Sequence, residues 1–155
     1  MTASSAPSKP QRLPPQRRAA FRWFLDLQTR WGDNDVYGHM NNVVYYALFD
    51  TLVNRFLIDE GGFDLHNAPI IGITPETSCR FHRSFAYPET VEGGLRIGHL
   101  GGSSVRYEIG LFGRGEDEAR AEGSFVHVFV DRASQRPAGI PENLRRAFEA
   151  LQRAG

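Results

Sequence analysis

The chain has one cysteine, Cys79, and one lysine, Lys9. A lone cysteine cannot close an intrachain crosslink, so burial has to hold the fold, and nothing points to an oxidising compartment. A cytoplasmic protein is expected. No run approaches the roughly 20 apolar residues that a membrane span requires, and the N-terminus lacks the apolar centre of a secretory signal. Charge of one sign is missing too: 18 basic residues face 18 acidic ones. No global field would therefore draw nucleic acid or an anionic membrane to the surface, and neither is expected as a partner. Anion binding, if any, is local and falls to arginine, whose planar fork suits phosphate. His82, His99 and His127 lie in separate strand-like segments without metal-ligand spacing, so no metal is implied. Cys79 sits in an alternating strand with no histidine placed to activate it and reads as a small buried hydrophobe.

What is present suffices for one domain: 41% of the 155 residues are hydrophobic. Residues 1–20 carry Pro7, Pro10, Pro14 and Pro15 with four basic residues and no acidic one, the composition of a solvated, disordered tail. An organelle-targeting peptide would need an amphipathic apolar face, which this segment lacks. The domain is expected over 21–155. Trp23, Leu25, Leu27, Thr29 and Trp31 alternate with polar or outward positions and predict a first strand. Val43 to Glu60 contains neither proline nor glycine until Gly61-Gly62 and predicts a long helix, apolar nearly all round in its first half, that has to be buried on most sides. After Pro69 come strands over about 70–85, 90–100, 104–112 and 119–130, separated by turn formers, so consecutive strands are expected to pair antiparallel. Pro75 marks a bulge or an edge. A final amphipathic helix begins near Pro141, with Leu144, Ala147, Phe148 and Leu151 at helical spacing. The order is α+β, one curved antiparallel sheet wrapped around a long central helix. A single sheet over one helix leaves an edge uncovered, which predicts a homodimer or homotetramer.

The chemistry concentrates between Arg30 and Asp50, which reads RWGDNDVYGHMNNVVYYALFD. A strand ends, two aspartates flank Asn34, a glycine turn carries His39, and Asn41-Asn42 open the helix. A helix N-terminus offers unpaired N–H groups and the positive end of the dipole to a developing oxyanion. A carboxylate beside it supplies a nucleophile or base, and thioester hydrolysis needs that pair. Taken singly, Asp35 is equally a turn aspartate bonding its own backbone, Asp33 a structural acceptor, and Asn41 or Asn42 an ordinary N-cap.

The pattern D-x-D-x-x-G-H-x-N-N-x-x-Y before an apolar helix resembles the signature of hotdog-fold acyl-CoA thioesterases of the 4-hydroxybenzoyl-CoA type. The likeness runs from about Phe24 to Pro141 and includes the closing Phe129-Val130-Asp131, Arg136-Pro137 and Ile140-Pro141. It implies a hotdog fold and hydrolysis of an acyl-CoA to free acid and coenzyme A, with no cofactor beyond the substrate's own coenzyme A. It implies Asp35 as the catalytic carboxylate, backbone N–H groups near Asn41, Asn42 and Val43 as the carbonyl's donors, and His39 as a polar contact. A second branch, resembling phenylacetate-pathway thioesterases, carries its acid on the central helix, where this chain has Asp50. That branch normally opens the helix with a glycine pair, here replaced by Asn41-Asn42. Pairing with Asn54 or Arg55 is the structural alternative for Asp50. Tyr37, Tyr45, Tyr46, Phe49 and Phe85 are candidates to line an acyl pocket, and Arg83, Arg106, Arg132 and Arg136 to meet the coenzyme A phosphates. Gly101 to Ser104 reads as a hairpin turn rather than a phosphate cradle. Two other functions stand beside hydrolysis: an acyl-thioester dehydratase, and a non-catalytic acyl-CoA binding or sensing protein.

Overall fold

Eighteen residues free of proline and glycine form the one long helix, α1 (Asn42–Asp59). In this computed structural model, which describes residues 8–153, α1 lies against a five-stranded antiparallel sheet. The strands are β1 (Trp23–Gln28), β2 (Ile70–Phe81), β3 (Thr90–Leu100), β4 (Ser104–Gly113) and β5 (Ala121–Asp131), and a second helix, α2 (Glu142–Arg153), follows them. Gly62 ends α1 because its left-handed conformation (φ 62°) lets the Phe63 N–H return to the Leu57 carbonyl. Among the described residues no helix is long and apolar enough to cross a membrane.

The sheet runs β1-β3-β4-β5-β2. Consecutive pairing holds for β3 with β4 and β4 with β5. It fails between β2 and β3: β2 pairs with β5 at the far edge, while β3 takes β1. The Tyr87-Pro88-Glu89 separator therefore connects strands with β4 and β5 between them, and alternation within a strand carries no information about its neighbour. The register of β2 against β5 breaks between Ile73 and Glu76, around Pro75, on an edge strand where a missing N–H costs least.

Leu48, Phe49, Leu52, Val53, Phe56 and Leu57 bury one side of α1. Gly123 on β5 permits the close approach, since a Cβ there would lie 2.3 Å from the Phe49 ring. The opposite face, through Ala47, Asp50, Thr51 and Arg55, remains exposed in the protomer, so burial is less complete than apolar composition suggests. Leu144, Phe148 and Leu151 of α2 close the other end of the core, Phe148 stacking on Phe56.

The segment before β1 departs from the expected solvated tail. Arg17 forms a bridge with Glu118, the Ala119 N–H donates to the Gln16 carbonyl, and Arg18 donates to the Glu116 carbonyl while lying over Phe24 and Phe112. Arginines that look solvated by composition instead cap the acidic 116–118 turn. Residues 1–7 of that expected tail lie outside the described residues.

One buried polar pair crosses the core. The Tyr107 hydroxyl lies 3.1 Å from His127 Nδ1, both side chains almost wholly buried. Burial pushes the His127 pKa down to about 4 and the Tyr107 pKa well up, so the hydroxyl donates to a neutral imidazole. Because the folded pKa lies below the unfolded one, the unfolded chain takes up a proton first. Stability is thus full above pH ~6.5 and is lost as pH falls toward 4, by at most about 3 kcal/mol from this group. Denaturant melts between pH 7 and 4.5 are expected to show a shallower acid loss for His127→Asn, which keeps a partner for Tyr107, than for the wild type.

Candidate active site

Past β1 the chain has to turn back into the opening helix, and Asp33 organises that turn. Its carboxylate is 2% exposed and accepts the Arg30 N–H (2.7 Å) and the Arg30 guanidinium (2.9 and 3.0 Å), while its carbonyl accepts the Asn41 N–H (2.8 Å). Asp33 is therefore the structural member of the aspartate pair. Two further bonds seat the loop on the sheet side: Met40 N–H to the Phe85 carbonyl, and Tyr87 N–H to the Asn34 amide oxygen.

Asp35 heads the tight turn that follows. The Gly38 N–H donates to its carbonyl, its own N–H donates to the His39 carbonyl, and its Oδ1 accepts the Tyr37 N–H at 2.9 Å. The turn needs Gly38, whose φ is 80°. No hydrogen bond among the described residues engages Asp35 Oδ2, so the side chain is anchored at one oxygen and free at the other.

Asn41 is the N-cap of α1, its side-chain oxygen accepting the Val43 N–H at 3.1 Å. With the Asn41 N–H on Asp33 and the Val44 N–H on the Asn41 carbonyl, three of the opening amides are spent. Val43 is thereby removed as a carbonyl donor. The Asn42 N–H finds no acceptor among the described residues and is the open donor of the turn.

A cavity of about 660 Å³ gathers these groups, lined by Asp35, His39, Asn41 and Asn42 together with Tyr45, Phe81, His82 and Arg83. Tyr45 packs edge-on against Phe81 at 4.8 Å and accepts the Phe85 N–H through its hydroxyl. Burial raises its pKa, which keeps the phenol neutral. Arg83, largely exposed, pairs with Glu116 at 3.3 Å. The structure does not bring Asp50 or Tyr46 here: Asp50 is exposed further along α1 and accepts from Asn54 (2.9 Å), and Tyr46 packs on Phe49. Cys79 is outside the cavity, and burial pushes its thiol up to about 12, which leaves no thiolate to attack with. His82 lines the cavity with Met40, Phe81 and Ser84, none of them singled out for the site by sequence reasoning. Its Nε2 lies 2.6 Å from Glu122 Oε2, a contact across forty positions with no local signal.

The profile of the thioesterase-like superfamily matches residues 29–148. The crystal structure of the PA5185 protein from Pseudomonas aeruginosa strain PAO1 superposes with a TM-score of 0.88 at 50% identity, covering 90% of this chain and 97% of that one. BH1999, a gentisyl-coenzyme A thioesterase, gives 0.72 at 24% identity over 81% and 99% of the two chains. SAV2348 from Staphylococcus aureus, solved in complex with CoA, gives 0.78 at 14% identity over 94% and 89%. At those last two identities the likeness is one of fold. No curated protein matches the chain.

Removing the Asp33 carboxylate unties the Arg30 end of the loop. Asp33→Ala is expected to cost about 1–2 kcal/mol in chemical denaturation, chiefly from the buried backbone contact at Arg30, since the guanidinium itself is mostly exposed.

Proposed function

The chain belongs to the thioesterase-like superfamily and is a thioester hydrolase; we propose that it cleaves an acyl-CoA to free acid and coenzyme A, with Asp35 as the catalytic carboxylate. The observation that carries this reading is the shared cavity: a carboxylate with one free oxygen and the unspent Asn42 N–H at the mouth of α1. The thioester carbonyl oxygen accepts from that amide, where the helix dipole favours the charge that develops. Asp35 acts on the carbon, by direct attack to a mixed anhydride that water resolves or by deprotonating a water. In either course the C–S bond breaks and coenzyme A departs as a thiolate, so no cofactor is required. His39 contacts the bound thioester, and Arg83, on the same cavity, meets the coenzyme A phosphates by exchanging its exposed bond to Glu116.

The reading includes a second copy of the chain. Val36 (95% exposed), Tyr37 (83%) and Val43 (64%) surround the site with apolar surface, and the outer edge of β2 offers unpaired backbone with Ile73 and Phe81 partly bare. A homodimer, or a homotetramer built from it, covers that surface. The single cysteine fits the cytoplasmic location that belongs to this proposal.

Asp35→Asn is expected to lower kcat for thiol release by about a thousandfold or more while circular dichroism and oligomer mass stay unchanged. Asp50→Asn is expected to stay within about threefold of the wild type; the reverse ranking would move the chemistry to α1. Binding of acyl-CoAs without release of thiol from any of them would favour the sensor. Light scattering is expected to give two or four chains per particle, and a monomer would contradict the assembly.

A further inference from the structure

The segment before β1 lies ahead of residue 29, where the superfamily match begins, and the hydrolysis just described gives it no task. It is nonetheless seated on the sheet beside the site. The Gln16 N–H donates to Glu122 Oε1 at 3.1 Å, the Ala119 N–H donates to the Gln16 carbonyl at 2.9 Å, and Arg17 bridges to Glu118. Four residues before Gln16, the Arg12 guanidinium donates to the carbonyl of Phe81, which ends β2 and lines the Asp35 cavity. Pro14 and Pro15, each with φ fixed by its ring, join the two anchors. The result is a strap held at both ends and stiffened between them.

Beside the strap is a cavity of about 350 Å³, bounded by its Arg12, Leu13, Pro14 and Pro15 and sharing His82 and Arg83 with the Asp35 cavity. Two cations on its lining are incompletely neutralised. Arg12 forms no ion pair among the described residues, and its bond to Phe81 uses one nitrogen, Nη2, of its guanidinium. Arg83 pairs with Glu116 at 3.3 Å, but both Glu116 oxygens are already bonded to Arg120, at 2.6 and 2.8 Å. The acidic residue on the lining, Glu118, has Arg17 3.7 Å away. The other arginines considered for coenzyme A line neither cavity: Arg106 donates to Ser124, Arg132 to the Leu65 and Ala68 carbonyls, and Arg136 lies past β5.

We propose that this N-terminal strap is part of the substrate site, and that Arg12, acting with Arg83, is a specificity-determining residue that binds the phosphates of coenzyme A. An acyl-CoA whose carbonyl lies on the Asn42 amide carries its phosphates at the far end of the pantetheine chain, beyond the Asp35 cavity. The smaller cavity adjoins that one through His82 and Arg83 and holds two guanidinium groups. Guanidinium-phosphate bonds are charge-assisted and can be bidentate, and Arg12 keeps donors for one while its bond to Phe81 holds it in place. Leu13, Pro14 and Pro15 offer apolar surface to the methyl and methylene groups of the chain. The inference rests on the acyl-CoA hydrolase reading and adds to it a segment outside the matched residues.

The test measures kcat/KM by thiol release for the acyl-CoA turned over fastest and for the N-acetylcysteamine thioester of the same acyl group, which keeps the reacting carbon and has no phosphate. Arg12→Gln, which retains an N–H for the Phe81 carbonyl, is expected to lower the ratio of the two by about tenfold, through KM for the acyl-CoA. Arg12→Glu is expected to lower it further and Arg12→Lys to restore most of it, an order set by charge. Free coenzyme A, titrated by calorimetry, is expected to bind Arg12→Gln about tenfold more weakly than the wild type, a readout that needs no turnover. Because each ratio compares two substrates on the same preparation, a loss of folded enzyme cancels, and a strap that only covers the sheet moves both substrates alike. Either readout left unmoved by both Arg12→Gln and Arg12→Glu overturns the proposal while leaving hydrolysis intact. Thiol release from no acyl-CoA overturns the hydrolase reading and this inference together.

Discussion

The arrangement depends on how the first turn of α1 is held against the sheet. Two backbone bonds do it, Asn41 N–H to the Asp33 carbonyl and Met40 N–H to the Phe85 carbonyl, and the buried Asp33 carboxylate, bonded to Arg30, steadies the first of them. Once these are in place the helix cannot slide along its groove, because Phe49 sits over the missing side chain of Gly123. The position of the Asn42 amide is therefore a consequence of core packing as much as of the loop. Preorganisation of this kind makes a donor useful in a transition state, since little reorientation remains to be done when charge develops.

In the proposed reaction Asp35 carries a structural and a catalytic role on one side chain. Its Oδ1 takes the Tyr37 N–H, the turn-aspartate contact its residue type predicts, and that bond restricts the side chain's rotation. The other oxygen is left without a protein partner. A carboxylate bonded at both oxygens would be a poorer nucleophile, and one bonded at neither would be poorly aimed. Asp33, two residues earlier, is engaged at both oxygens and buried, which is why the proposal places the chemistry on Asp35.

Local features were readable from the residues alone. Alternation located every strand, the absence of glycine and proline set the limits of α1, and Pro75 marked the irregularity in β2. The loop motif brought Asp35, His39, Asn41 and Asn42 to one cavity, and Arg83 joined them from the end of β2. Non-local features were not legible. The placement of β2 beside β5 depends on which sheet edge is free after folding, and the docking of Arg17 and Arg18 on the 116–118 turn depends on acidic groups a hundred positions away. Asp50 and Tyr46 failed to reach the cavity for a simpler reason. Tyr46, one turn beyond Asn42, packs on Phe49 instead, Asp50 lies exposed a further turn along α1, and apolar composition on all sides of a helix hides which face is covered.

Exposure around the site has an energetic meaning of its own. A tyrosine and two valines largely in water, beside an edge strand with open N–H and C=O groups, would be a liability in a chain that stayed alone. The same groups stand next to the Asp35 cavity, so a partner that covers the apolar rim also removes water from the carbonyl's surroundings. Lower local polarity strengthens the attraction between the helix terminus and a developing oxyanion. Assembly and catalysis would then draw on one surface, and substitutions that weaken pairing along β2 would reduce turnover without touching Asp35.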